Sequence, residues 1–172
     1  MDDLVLDACV LINLAATGVP FVQFANACGP NLWMAKLASQ EVLYIADANG
    51  ELEIIEITAL QPMVVIDLSG NEDDRFVELA AELGDGEAAS IALAENRGWR
   101  LATDDRKAIR IARIRMPTRS LETTCSLIRH WSEKYAIEKV QLSEVLQRIE
   151  TRASFLPPRD DANRDWWITN RL

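Results

Sequence analysis

Short apolar runs alternate with longer stretches of helical spacing along most of the chain. Residues 4–6 predict a first strand, a second apolar stretch covers residues 32–35, and further strands are predicted at residues 52–57, 63–68, 99–102 and 116–118. Helices are predicted from Val10 to a stop at Gly18, and then at residues 69–84, 87–96, 106–114, 121–135 and 142–155. The spacing of Leu37, Val42 and Ile45 is also roughly helical. Because strands and helices alternate, we predict an α/β protein whose parallel sheet is covered by helices on both faces.

Two helix ends carry clear signals. Asp85 is a predicted N-cap, and Gly98 is a predicted stop for the same helix. The consecutive residues Pro157 and Pro158 end the last helix, because proline cannot continue one.

These helix ends divide the chain. We predict one domain over residues 1–156 and a C-terminal arm over residues 157–172. The arm carries Trp166 and Trp167 among polar residues. An exposed tryptophan pair there would indicate docking on a partner or on a second copy of the chain.

Composition and charge limit the class of protein. The 172 residues are 49% hydrophobic and carry a net charge of -9, which suits one folded domain and excludes a disordered chain. The three cysteines lie far apart without a Cys-x-x-Cys pair, which argues against disulfides and zinc. Residues 8–35 carry no charge, but Gly, Pro and Asn residues break this stretch into short pieces, and the N-terminus is acidic. We therefore expect a cytoplasmic protein without a membrane span.

Candidate chemistry lies at the ends of two predicted strands. Asp7 follows the first strand, and Asp104 with Asp105 follows the strand at residues 99–102. Ligands of open parallel sheets bind at the carboxyl ends of the strands, so these acids are the first candidates for a site. Glu41 and Glu87 lie among small or apolar residues on helical segments and are placed near packed surface.

A cluster of such carboxylates needs a compensating cation, because like charges raise one another's pKa. Mg²⁺ and Mn²⁺ prefer oxygen ligands and often bind substrate phosphate as well. A site of this kind neutralises phosphate charge and lowers the pKa of bound water, which suits phosphodiester hydrolysis. Taken alone, Asp7 is better interpreted as a simple cap of the helix that follows it, and composition and spacing by themselves do not favour the metal site.

Three segments together resemble the PIN domain family. They are LVLDACVLINL at residues 4–14, GEAASIALA at residues 86–94 and LATDDRKA at residues 101–108. The resemblance covers about residues 3–135 and implies a Rossmann-like three-layer α/β/α sandwich, here followed by C-terminal helices. It also implies a Mg²⁺- or Mn²⁺-dependent nuclease that acts on single-stranded or structured RNA. Many relatives are toxins neutralised by a small antitoxin, and the resemblance implies a homodimer.

The family's acidic quartet matches four positions of this chain, Asp7, Glu41, Glu87 and Asp104. The resemblance makes these residues catalytic and metal-binding. Two polar residues match positions beside the quartet, Asn13 near the first acid and Thr103 before the last one. Two alternatives stay open. Asp85 is a rival for Glu87, and Asp105 doubles the fourth position, so that either neighbour could be the ligand.

A basic segment lies next to the last acid. Residues 97–119 contain eight Lys or Arg residues against two acids, a local charge of +6 within an acidic chain. Arg106, Arg110 and Arg113 are spaced i, i+4 and i+7, which places them on one helix face. We interpret this stripe as a guide for the RNA backbone. A solvated helix face paired with acids elsewhere is the alternative, and an acidic antitoxin segment could also dock there.

These observations favour a metal-dependent endoribonuclease, with a catalytically silent binding protein of the same fold as the alternative. A phosphatase of the haloacid dehalogenase type also uses an Asp after its first strand, but it needs a second Asp where this chain has Cys9. Cys9 itself is interpreted as a small core residue. His130 is the single histidine, which leaves Ser-His-Asp chemistry without support.

Overall fold

The computed structural model describes residues 3–29, 31–41, 43–47 and 49–172. Its strands are β1 Asp3–Leu6, β2 Asn31–Ala35, β3 Tyr44–Ala46, β4 Leu52–Ile54, β5 Val64–Ile66, β6 Arg100–Ala102 and β7 Leu121–Glu122. Its α-helices are α1 Ala8–Ala16, α2 Phe21–Cys28, α3 Lys36–Ser39, α4 Asn71–Ala80, α5 Asp85–Arg97, α6 Arg106–Arg115, α7 Thr124–Lys134, α8 Lys139–Arg152 and α9 Arg164–Asn170.

Five parallel strands form the central sheet in the order β5-β2-β1-β6-β7. The middle strand β1 pairs on both sides, with Val5 opposite Trp33 of β2 and Leu101 of β6. Leu4, Val5 and Leu6 are fully buried, as expected for a strand covered on both faces. The carboxyl ends of β1 and β6 are therefore neighbours, and both lead into candidate acids.

Helices cover both faces of this sheet. α5 packs on β1, β2 and β6 and has α4 and α6 beside it, whereas α1, α2 and α7 pack together with α8. Every residue of α5 from Ala88 to Ala94 is buried, which is typical of a helix that is apolar all round. The predicted three-layer α/β/α sandwich with C-terminal helices is confirmed.

The region between β2 and β5 differs from the prediction. The prediction of a helix that continues through Ile45 is wrong, because α3 ends at Ser39 and Ile45 lies in β3. Val42 lies outside the described residues. The strand predicted at residues 52–57 is shorter, and it pairs antiparallel with β3 apart from the central sheet. The side chain of Asp47 accepts hydrogen bonds from the backbone N–H of Asn49 and Glu51, both at 2.8 Å, and stabilises the connecting turn.

The last strand of the sheet also differs. It was predicted at residues 116–118 but lies at Leu121–Glu122, because α6 runs on until Met116 caps it. Glu122 fixes β7 beside β6, where it accepts a hydrogen bond from the backbone of Thr103 at 3.1 Å and pairs with Arg100 at 3.2 Å. The following helix starts later than predicted, at Thr124, behind a capping box of Thr123 and Ser126.

The N-cap of α5 lies one residue earlier than predicted. Gly84 is the N-cap, and Asp85 is the first helical residue rather than the predicted cap. The Asp85 carboxylate lies in the first turn, where negative charge complements the helix dipole. Gly98 ends the helix in the left-handed conformation with φ 67°, as predicted.

The uncharged stretch at residues 8–35 folds into α1, α2 and β2. α2 is absent from the sequence prediction, which places no helix between Gly18 and residue 32. Within the described residues no single helix is long and apolar enough to cross a membrane. Taken together, α1 and α2 have the required length and apolar composition, but the two helices are bent by 120° relative to each other.

The C-terminal arm packs on the rest of the chain. Trp167 is fully buried, its ring meets Phe155 edge-on at 5.6 Å, and its Nε1 donates to Glu150 at 2.8 Å. Trp166 is half-buried against the core. The tryptophans are therefore not the exposed pair that would indicate docking, because α9 uses Trp167 to cover α8.

Candidate active site

Asp7 lies where β1 ends and is the N-cap of α1. It is 2% exposed, and its Oδ1 accepts from the Ala8 backbone at 3.0 Å and from Ser90 Oγ at 3.3 Å. Its Oδ2 accepts from Thr103 Oγ1 at 2.8 Å. Burial raises the pKa of Asp7, and these hydrogen bonds act in the opposite direction. Asp7 is thus a helix cap, and it is also a buried carboxylate at the edge of the sheet.

Asp104 follows β6 and is tied to two helices. Its Oδ1 accepts from the Thr124 backbone at 2.9 Å, and its Oδ2 accepts from Thr124 Oγ1 at 2.6 Å and from Asn13 Nδ2 at 3.0 Å. Burial raises the pKa of Asp104, and the bonds from Thr124 and Asn13 lower it. Asp104 therefore joins β6 to α1 and to the start of α7.

Asp105 faces a different neighbour. It is the N-cap of α6 and accepts from the Ala108 backbone at 2.7 Å. Its charge contributes to the raised pKa of Glu87. The two adjacent acids are thus separated, since Asp104 contacts Asn13 and Thr124 while Asp105 lies within electrostatic range of Glu87.

Glu41 and Glu87 share the surroundings of Asp7. Burial raises the pKa of Glu41, and the charges of Asp7, Glu87 and Asp85 raise it further. Burial also raises the pKa of Glu87, with added contributions from Asp7 and Asp105. Ser90 of α5 contacts Asp7, Gly86 of α5 contacts Glu41, and Glu87 belongs to the same helix, so the three carboxylates lie beside the first turns of α5.

Gly86 makes room for this convergence. The Glu41 carboxylate lies so close to the Gly86 backbone that a Cβ at position 86 would overlap Glu41 Oε1. A residue with a side chain would therefore displace Glu41 from the start of α5. The Gly-Glu sequence at residues 86–87 supplies both the acid and the space beside it.

The fit of a metal ion depends on how widely these acids are spread. Within the part of the chain that the structure describes, no three His, Cys, Asp or Glu side chains form a ready-made coordination group. Mg²⁺ keeps several waters and is commonly held by only one or two carboxylates. The donor set is all oxygen around Asp7, Glu41 and Glu87, and their mutual repulsion is what a cation relieves. These residues therefore offer the type of donor that a hydrated Mg²⁺ or Mn²⁺ ion accepts.

Cys9 packs against the core, as interpreted, and it also lies between the two strand-end acids. Its Sγ is 3.5 Å from Asp7 Oδ2 and accepts from the Asp104 backbone at 3.4 Å. Burial, followed by the charges of Asp7 and Asp104, raises the pKa of this thiol well above its ordinary value. Cys9 therefore donates to Asp7 as a protonated thiol.

Two other residues of the site are absent from the sequence analysis. Ser90 bonds to Asp7 and Thr124 bonds to Asp104. Ser90 lies three residues after Glu87, so helix spacing alone could have placed it on the same face. Thr124 has no such signal, since it reaches Asp104 only through the pairing of β6 with β7.

The arginine stripe forms one wall of a groove. Arg106, Arg110 and Arg113 line a cavity of about 530 Å³ between α6, the start of α7 and the C-terminal arm, and the cavity extends to Asp104. Arg106 pairs with Asp160 of the arm at 2.8 Å.

Other basic residues of the segment are neutralised by distant acids. Arg97 pairs with Glu72, Arg100 pairs with Glu122, and Arg115 pairs with Glu78 and Glu95. These three residues, from α5, β6 and α6, are therefore paired with acids and lie outside the stripe. Arg110 and Arg113 make no ion pair with any residue that the structure describes.

Comparison with known proteins gives one match. A sequence model described as a PIN domain matches residues 3–159, which include every candidate site residue named above. No curated protein and no solved structure is significantly similar to the chain.

Proposed function

Because the chain belongs to the PIN domain family, we propose that it is a Mg²⁺- or Mn²⁺-dependent endoribonuclease. PIN domains are generally nucleases and typically use divalent metals. The observation that carries the proposal is the placing of three acids beside the start of α5, where Ser90 contacts Asp7, Gly86 contacts Glu41, and Glu87 is part of the helix.

In this proposal Asp7, Glu41 and Glu87 hold the cation, with Asp105 beside Glu87. When bound, such a cation supplies phosphate neutralisation and activation of water. Asp104 accepts three hydrogen bonds from Asn13 and Thr124 and so holds β6 against α1 and α7, whereas Asp7 also acts on the two glutamates. The assignment of Asp104 as the fourth ligand stays a prediction.

The remaining residues orient these acids and bind substrate. The hydroxyls of Thr103 and Ser90 donate to different oxygens of Asp7 and fix the plane of its carboxylate. Arg110 and Arg113 present unpaired guanidinium groups within the described chain, and they would contact RNA phosphates along the groove.

The test is cleavage of an RNA pool with Mn²⁺, with EDTA, and with the Asp7→Asn protein. We expect cleavage only in the first condition. Asp73→Asn is the matched control, because Asp73 is an exposed acid on α4. Equal cleavage with EDTA and by Asp7→Asn would overturn the proposal.

One observation favours the second candidate, a catalytically silent binding protein. The described acids form no ready-made coordination group, and both oxygens of Asp104 already accept hydrogen bonds. This candidate predicts retention of RNA or a protein partner with no cleavage of any RNA in Mn²⁺. The homodimer and the small antitoxin stay predictions, and size-exclusion chromatography and co-purification test them.

A further inference from the structure

The groove beside α6 has the dimensions of a ligand site. Its volume of about 530 Å³ lies within the range of about 300–1,000 Å³ that is typical of small-molecule sites. One wall is the arginine stripe of α6, and the facing wall is the arm from Pro158 to Asn163. The cavity extends to Asp104, whose backbone N–H donates to Cys9 beside Asp7.

Three arginines and three acids line the groove, and the acids Asp104, Asp160 and Asp161 already accept hydrogen bonds. Arg110 and Arg113 make no ion pair with any described residue, so they are available to an anion. Among the described residues Arg106 pairs with Asp160 alone, and the two side chains are 67% and 71% exposed. An exposed ion pair of this kind is weak and is easily exchanged for another anion. The stripe thus offers guanidinium groups that match the fork of a phosphate.

The groove also has apolar walls, which a bare anion would not use. Ile109 and Ile114 from α6 and Leu121 from β7 line the same cavity. Ile114 is 75% exposed, so it is available to a ligand at no cost in core packing. A phosphate joined to a flat apolar ring satisfies both kinds of wall.

We propose that this groove binds one unpaired nucleotide of an RNA strand, with its phosphate on Arg110 and Arg113 and its base against Ile114. Only the source of the nucleotide, an RNA strand, rests on the proposed function. The link between the groove and the candidate active site is Asp104, which lines the cavity. Asp160 then competes with the phosphate for Arg106. An acidic peptide would use the arginines but not the apolar wall, and the experiment separates the two.

The first measurement is binding of uridine 5′-monophosphate and ribose 5-phosphate to the full chain in EDTA, by titration calorimetry. We expect the nucleotide to bind several-fold more tightly than the sugar phosphate. Equal affinities for the two compounds would mean that the groove binds a phosphate without using the base. Absence of binding by both compounds would mean that the groove is not a binding site. Either result overturns the proposal.

Variants assign the two walls. Arg110→Gln and Arg113→Gln should each lower the affinity for both compounds by roughly tenfold, because each removes a charge-assisted hydrogen bond. Ile114→Ser should lower the affinity for the nucleotide alone, and Asp160→Asn should raise the affinity for both compounds.

The matched controls lie on α8. Lys139→Gln removes an exposed charge, and Val140→Ser changes a residue that is 71% exposed. Both should bind as the unchanged chain does. If Lys139→Gln weakens binding as much as Arg110→Gln, the effect is one of net charge and the groove assignment fails.

Competition identifies the source of the nucleotide. Uridine 5′-monophosphate should displace a short single-stranded RNA from the Asp7→Asn protein. Simultaneous binding would make the groove a separate nucleotide site and would overturn its place on the RNA path. Displacement by hexaglutamate as readily as by the nucleotide would favour an acidic peptide instead. Because none of these measurements needs cleavage, a failure here and a failure of the nuclease proposal are distinguishable.

Discussion

The ends of β1 and β6 present two buried acids that look alike in sequence and differ in their contacts. Asp7 and Asp104 each follow an apolar strand, and burial raises the pKa of both. Asp7 acts electrostatically on Glu41 and Glu87, whereas Asp104 is bound by Asn13 and Thr124. Position at a strand end therefore does not decide a role by itself; the donors that surround the carboxylate do.

The two acids also differ in the kind of donor that they meet. The side chains that donate to Asp7 are hydroxyls and a thiol. These groups can rotate to accept a hydrogen bond, so they would also pair with the amide N–H of an asparagine at position 7. Asp104 meets N–H groups at both oxygens, from the Thr124 backbone and from the Asn13 amide. The Thr124 backbone N–H cannot become an acceptor, and the Asn13 amide becomes one only by turning to present its oxygen. Replacement of Asp7 by Asn therefore needs only hydroxyl or thiol groups to reverse, whereas replacement of Asp104 by Asn also requires the Asn13 amide to turn.

The largest expected effect is on cleavage. We expect Asp7→Asn to lower RNA cleavage in Mn²⁺ by more than about a hundredfold, since even outer contacts of a metal site are worth about 10- to 100-fold. Asp104→Asn should retain activity within about tenfold per folded molecule. Equal losses in single-turnover assays would mean that both strand-end acids ligate the cation.

The next effect is stabilisation by metal. A cation that binds only the folded chain raises the free energy of unfolding by about 2.7 kcal/mol at one hundred times its Kd. Thermal unfolding with increasing Mn²⁺ should show this rise for the unchanged chain and for Asp104→Asn, but not for Asp7→Asn. A rise in Asp7→Asn of the same size would place the ion elsewhere.

The third effect is on stability without metal. Asp104→Asn should lower the free energy of unfolding by about 1 kcal/mol, because it removes hydrogen bonds to a charged acceptor and forces the Asn13 amide to turn. Asp7→Asn should be at least as stable as the unchanged chain, since it removes a buried charge next to other carboxylates. Urea unfolding in EDTA measures both, and a more stable Asp104→Asn protein would contradict the assigned hydrogen bonds.

The smallest effect is the pH dependence of that comparison. The folded-state pKa of Asp7 is raised, so the folded chain binds this proton more readily than the unfolded chain and the contribution of Asp7 to stability falls as the pH rises. The advantage of Asp7→Asn should therefore be largest at neutral pH. It should shrink as the pH falls through the raised pKa toward the ordinary value of 3.8. A constant difference across this window would mean that Asp7 is not perturbed.

Some of this molecule could be predicted from its sequence because the signals are local. β1, α5 and the stop at Gly98 follow from apolar runs and a glycine signal. β3, β4 and β7 have two or three residues each, and their positions depend on partners such as Asp47 and Arg100 that periodicity does not reveal.

The candidate site divides in the same way. Residue type and resemblance point to Asp7, Glu41, Glu87 and Asp104, and in the structure α5 contacts the first two through Ser90 and Gly86. Their roles stay predictions. The contacts of Cys9 and Thr124 depend on where distant segments cross, as does the groove between α6 and the arm. Sequence patterns show which residues carry chemistry, and tertiary packing decides which of them meet.

The missing side chain at Gly86 has a consequence for the Glu41 side chain. One added methyl group there would evict the Glu41 carboxylate while leaving the neighbouring helix residues unchanged. Alanine at that point would leave the fold intact and make the Glu41 side chain turn, which a flexible chain end does at little cost. The glycine thus sets the resting place of one carboxylate and not the formation of the fold.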